Sequence, residues 1–267
     1  MTSKRLSWIA VLLVVAAFSA WGQEPGTVFL DELTWTELRH EVGNGKTTII
    51  VPIGGTEQSG PHMVLGKHNV RVKALSAKIA RALGNALVAP VIAYVPEGNI
   101  SPATSHMRFP GTITVSNATF EQVLESAARS FKSHGFRDIV FLGDHSTYQS
   151  IEKTVADRLD REWRNTPVRA HAITAYYEAT LTSFPQQLRS RGYSDAEIGT
   201  HAGLADTSLA LAIDPGLVRA DQLSAKPDAA AGVHGDPRRA TADLGQLGVD
   251  AIVTQTVAAI NSATARR

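Results

Sequence analysis

No cysteine occurs among the 267 residues. The chain therefore forms no disulfide and carries no lipid-modified cysteine, and a protein exported without disulfides must rest on its packed core. An excess of charge of either sign is also lacking, with 26 Lys and Arg against 25 Asp and Glu. There is no basic block and no interleaving of basic with aromatic residues, so nucleic acid is not an expected partner. The apolar run at the start, Leu6 to Phe18, is shorter than the roughly 20 residues a spanning helix needs. Preceded by Lys4 and Arg5 and followed by the small residues Ala20 and Gly22, it reads as a secretory signal over residues 1–22. Without that segment the mature chain would have 24 basic and 25 acidic residues. It would be periplasmic or secreted, with no membrane attachment after cleavage.

What is present, at 43% hydrophobic and 19% charged, is enough for one substantial core, and residues 23–267 are expected to form one α/β domain. Taken in order, Phe29 to Glu41 reads as a helix and Thr47 to Ile53 as a β-branched core strand. Asn69 to Leu83 is a helix stopped by Gly84. Ala86 to Val95 is rich in β-formers but interrupted by Pro90, which predicts an edge position or a bulge. Glu97 to Val115 lacks periodicity and reads as a long functional loop. Asn117 to Ser133 has one apolar stripe, with Ser116 as its cap and Gly135 as its end. A buried strand over Asp138 to Leu142, a helix over Ser150 to Trp163 and a strand over Val168 to Tyr177 follow. Asp206 opens a short helix closed by Pro215, and a last helix runs from about Val249 to Ala263. Strands alternating with helices at these lengths predict a three-layer α/β/α fold with a mainly parallel central sheet.

The chain is organised around Ile49 to Val72, in which the first strand turns at Gly54 and Gly55 and delivers Glu57, His62 and His68. The carboxyl ends of parallel strands open into the crevice between helices, where sites form. The second core strand also runs straight into a histidine, His145. Glu57, His68, His145 and Asp206 all follow apolar segments, and imidazole with carboxylate suits zinc, manganese or iron better than calcium. Taken singly, a loop histidine is more often solvated or hydrogen-bonded, and an aspartate at a helix start is more often a cap. Spacing alone leaves both roles open. The run Asp144, His145, Ser146 does not make a serine-hydrolase triad, because those roles need side chains converging from separate segments.

Five segments, in order, carry a resemblance. Gly54 to His68 (GGTEQSGPHMVLGKH) resembles the G-x-x-E-x-H-G-P-H-L-P-L-G-x-D motif of the creatininase (creatinine amidohydrolase) family. Phe109 to Thr112 is similar to its F-P-G-T loop, Gly143 to Tyr148 to its N-G-H-G-G-N, His201 to Ser208 to its H-A-G-x-x-E-T-S, and Gly232 to Thr241 to its G-x-x-G-D-P-x-x-A-T. The resemblance implies an often oligomeric, metal-dependent hydrolase of small, non-peptide or cyclic amides. It implies Glu57 and His145 as metal ligands, Asp206 where the family has a glutamate, and His201 as the proton donor to the leaving nitrogen. Water activated on a divalent ion would be the nucleophile. Two further positions depart from the pattern: Ser59 stands for a ligand histidine, and His68 for an aspartate that bridges two metals. A neutral imidazole does not bridge two cations as a carboxylate does, so one ion is expected, on Glu57, His68, His145 and Asp206. The same departures also admit an exported protein that keeps the fold and binds a small ligand in a degenerate site. His106, in the long loop, and Ser59 are the candidate substrate contacts.

Overall fold

The computed structural model describes residues 26–223 and 227–265. The expected signal, 1–22, lies outside the described residues. Helix α1 (Trp35–Gly43) starts at a capping box in which the Thr34 side chain accepts from the Glu37 amide and Glu37 returns a bond to Thr34. Then come β1 (Thr48–Ile53), α2 (Lys67–Leu83), β2 (Ala86–Val88), α3 (Asn117–Ser133), β3 (Asp138–Gly143), α4 (Gln149–Trp163) and β4 (Arg169–Ala172). The described residues beyond β4 include α5 (Ala175–Leu181), α6 (Ser183–Arg189), α7 (Asp195–Ile198), α8 (Leu204–Ile213) and α9 (Ala242–Thr264), with short helical turns between α8 and α9.

The sheet order is β2-β1-β3-β4, with every pairing parallel. β1 and β3 are central and buried at every residue, so successive side chains are apolar on both faces. Ile50, Val140 and Leu142 face a core shared with α2, α5, α6, α8 and α9. Ile49, Val51, Ile139 and Phe141 face the opposite core, made with α3 and α4. This is the three-layer arrangement expected. Close packing of α9 on α8 needs Gly245, which lies against the Ser208 carbonyl where no side chain fits. Among the described residues no helix is long and apolar enough to cross a membrane.

Three segments differ here from the sequence reading. The helix expected over Phe29 to Glu41 breaks at Leu33 and Thr34, both extended, leaving a helical turn at Leu30–Glu32 before α1. The strand expected over Val168 to Tyr177 ends at Ala172, and α5 takes Tyr176 and Tyr177. Tyr176 is buried, and its hydroxyl donates to Asp144 Oδ1 at 2.7 Å, a contact made from the turn of a helix beyond the strand end. The last helix starts at Ala242, capped by Thr241, because its first two turns pack on α8 although their sequence is weakly patterned.

Candidate metal centre

β1 and β3 are in register to their last residues, with Ile53 beside Gly143, and the Asp144 amide continues the ladder to the Ile53 carbonyl at 3.0 Å. Both strands therefore release their chains at the same level, and Glu57 and His145 emerge side by side. The chain beyond β2 stays alongside β1 through Ile92, whose amide donates to Pro52 at 2.9 Å and whose carbonyl accepts from Gly54 at 3.0 Å. Pro90 has no amide to donate, which fits an irregular edge rather than a regular strand. That edge carries Glu97 into the same place. The long loop then returns as a helical turn over Ser105–Arg108 and supplies His106, just after Ser105, which holds a left-handed φ of 49°.

One ligand atom each from Glu57, Glu97, His106 and His145 lies within 4.8 Å of all the others. Glu57 Oε2 is 3.1 Å from His106 Nε2 and 3.3 Å from His145 Nε2. Yet Oε2 receives no hydrogen bond, and both Glu97 oxygens are buried without a partner. The four groups converge on one shared space. A buried carboxyl group without a hydrogen-bond partner is costly, and a divalent ion there would satisfy all four at once. Two carboxylates and two imidazoles suit zinc or manganese.

The far side of the His145 ring is anchored away from the cluster. Nδ1 accepts from the Thr147 amide at 3.3 Å and lies 3.0 Å from the Thr147 hydroxyl, which donates to the Pro96 carbonyl at 2.9 Å. Nε2 is the ring nitrogen turned toward Glu57. Burial lowers the His145 pKa to about 3, outweighing the attraction of Glu57, and keeps the ring neutral. Burial likewise lowers His106. Burial and the neighbouring Glu57 charge push Glu97 up to about 9. Glu57, although buried, is held well below the carboxylate range by its hydrogen bond to His68 and by the positive charges around it. Gly55 makes room, for at φ 149° a Cβ there would lie 2.8 Å from Glu97 Oε1.

The other expected ligands are engaged elsewhere. His68 has Nε2 2.8 Å from Glu57 Oε1 and Nδ1 2.6 Å from Asp144 Oδ2, so each nitrogen already faces a carboxylate. Asp206 pairs with the buried Lys67 ammonium and, at 2.7 Å, with Arg71 Nη1. Arg71 Nε also reaches Asp144 Oδ2 at 2.8 Å. Acidic and basic side chains alternate along Glu57, His68, Asp144, Arg71, Asp206 and Lys67, a buried polar chain beside the cluster. Asp206 is held well below the usual range, against its burial, by Lys67 and Arg71. Ser59 is fully buried with its hydroxyl unpartnered and does not line the cavity, so the structure does not present it to a substrate. His106, expected to touch substrate, lines the cavity and also joins the metal-competent group. Glu97 escaped the sequence reading; its only signal is an acidic residue opening the long loop.

His201 comes from the opposite wall, just before α8. Its Nε2 lies 3.0 Å from the Gln58 carbonyl, which accepts only, so Nε2 donates and the Nδ1 lone pair faces Glu57 Oε1 at 3.9 Å. Burial and Lys67 bring its pKa down to about 4. The Gln58 amide nitrogen sits 3.2 Å from both His106 Nδ1 and His201 Nε2 and spaces the two rings. His62 is turned away, 2.9 Å from Thr207 Oγ1. The cluster opens into a cavity of about 1000 Å3.

Comparison with known proteins gives a consistent picture. Residues 31–260 match the family described as creatinine amidohydrolase, the creatininases. The creatinine amidohydrolase of Pseudomonas putida is 29% identical over 76% of this chain and 78% of its own length. The mycofactocin precursor peptide peptidase of Mycolicibacterium smegmatis is also 29% identical, over 66% of this chain and 61% of its own length. Among solved structures, a creatinine amidohydrolase superposes with a TM-score of 0.75 at 26% identity, covering 91% of this chain and all of that one. A zinc–zinc creatininase variant and a manganese creatininase superpose with TM-scores of 0.74 and 0.73, each 27% identical over 89% of this chain and 98% of theirs.

Proposed function

The chain belongs to the creatininase family, and from that premise we propose that it is a metal-dependent amidohydrolase. It hydrolyses a carbon–nitrogen amide bond of a small molecule, with one divalent ion, zinc or manganese, held by Glu57, Glu97, His106 and His145. The observation that carries this reading is the set of buried carboxylate oxygens on Glu57 and Glu97 that find no partner while two imidazole nitrogens stand beside them. An ion bound there supplies Lewis-acid polarisation and lowers the pKa of water.

The rest is done by the chain. Gln58 fixes His201 through its carbonyl, leaving Nδ1 as the acceptor on the cavity side. With its pKa near 4, His201 is neutral at pH 7 and first takes a proton from the attacking water. It then returns that proton to the leaving nitrogen as the carbon–nitrogen bond breaks and the water oxygen stays on the carbonyl carbon. One ion rather than two is supported by the buried polar chain: His68 and Asp206 are spent on Asp144, Lys67 and Arg71. The fixed positive charges of Lys67 and Arg71 occupy ground that a second cation would have to share.

The test is elemental analysis of the purified protein followed by a screen of lactams and linear amides. About one zinc or manganese per chain is expected, with hydrolysis lost on chelation and restored by the ion. Retention of no metal, or turnover indifferent to chelation, refutes the proposal.

A further inference from the structure

Lys67 is a charge on the cavity wall to which the proposed reaction gives no part. It is the first residue of α2 and lines the same cavity as the cluster, with its side chain 2% exposed. Taking an ammonium out of water is costly. Its position adds to that cost. Helical side chains lean toward the N-terminus, where the positive end of the dipole lies, and the first turn of α2 holds no acidic residue.

Pairing with Asp206 does not account for it. Asp206 is already met by Arg71 Nη1 on Oδ1 at 2.7 Å and by the Ala202 amide on Oδ2 at 3.1 Å; the Lys67 ammonium joins as a third donor, on Oδ2. An ammonium carries three protons, and among the described residues Asp206 is its one hydrogen-bond partner, so two protons remain for another acceptor. The oxygen shared with the Ala202 amide also locates the group, because Ala202 directly follows His201. Burial lowers the His201 pKa most and the Lys67 charge next, as a cation beside that ring must. A buried cation with spare donors, next to the proton carrier and facing the metal-competent cluster, is what a developing negative charge on oxygen calls for.

We propose that Lys67 is a catalytic residue whose ammonium donates to the carbonyl oxygen of the scissile amide as that oxygen becomes negative. This rests on the amidohydrolase reading. As the water oxygen bonds to the carbonyl carbon, the carbon–oxygen π pair moves onto the oxygen, where a Lys67 N–H holds it. When the intermediate collapses the pair returns, and the carbon–nitrogen bond breaks with its electrons going to nitrogen, which takes the proton from His201. Lys67 keeps all three of its protons throughout. It gives a one-ion site a second positive charge at the reacting oxygen.

The test is calorimetric titration of the full chain, with and without added zinc, using phenylphosphonate, a tetrahedral oxyanion, and benzamide, a neutral planar amide on the same ring. The parent is expected to prefer phenylphosphonate. Lys67→Met is expected to weaken phenylphosphonate about tenfold while benzamide stays within about twofold. Asp206 keeps Arg71 and the Ala202 amide in that variant. Should it fail to fold, Lys67→Gln, whose amide can still donate to Asp206, carries the same expectation. A lysine that served Asp206 alone would change the melting temperature and leave the ratio of the two affinities as it was. That unchanged ratio, or no saturable binding of phenylphosphonate to the parent, overturns the proposal. A preference that depends on Lys67 in a protein that retains no zinc would refute the metal-dependent hydrolase and leave the oxyanion contact of Lys67 standing. Zinc-dependent amide hydrolysis with an unchanged ratio in Lys67→Met would do the reverse.

Discussion

Exchanging Glu97 for glutamine isolates the charge of the one carboxyl in the cluster that is protonated at neutral pH. With its pKa at about 9, Glu97 must lose a proton to hold an ion, and pH 7 lies two units below that value. The displacement costs about 2.7 kcal/mol at pH 7, from about 1.36 kcal/mol per unit, and vanishes above pH 9. Zinc affinity of the unmodified protein should therefore rise about tenfold per pH unit between pH 7 and 9, beyond the contribution of the histidines, which are already neutral there. Glutamine keeps the shape but has no proton to lose, so Glu97→Gln should flatten this slope and bind about 100-fold more weakly at pH 9. In the ion-free protein the sign reverses. A carboxyl raised from 4.5 to about 9 favours the folded state at low pH, and its contribution is lost as pH rises through about 9. Competition titrations with a chromophoric chelator at four pH values, with thermal melts of the ion-free proteins, measure both. An identical pH slope in the two proteins would refute the placement of Glu97 at the ion.

His145→Ala should abolish hydrolysis and bound metal while circular dichroism stays unchanged, since the ring faces the cluster rather than a core; turnover equal to the parent would remove His145 from the site. Asp206→Asn should keep the ion but lower stability by about 3–5 kcal/mol in urea melts, because Lys67 and Arg71 lose a buried counter-charge; loss of metal with unchanged stability would instead make Asp206 a ligand. Gly55→Ala should displace Glu97 and reduce metal content, and a variant that loads fully would contradict the close approach. The mature N-terminus should lie near Gln23 in an exported fraction, checked by mass spectrometry, and an intact Met1 in the cytoplasm would count against export.

Local pattern was sufficient for most of the scaffold. The apolar runs of β1 and β3, the stripe of α3 between Ser116 and Gly135, and the stop at Gly84 are written in neighbouring residues, because strand burial and helix ends depend on local periodicity and caps. The placement of Glu57 and His145 at adjacent strand ends follows from the same reasoning, since parallel strands release their loops on one side. Tertiary structure alone decided which polar side chains meet. Glu97 opens a loop without periodicity and reaches the cluster only because an irregular edge runs on beside β1. His68 and Asp206 carry ligand chemistry in sequence, but Lys67, Arg71 and Asp144, drawn from α2 and the end of β3, claim them first. A buried charge takes whichever partner the packing brings nearest, and that partner is set by the fold rather than by the residues beside it in the chain.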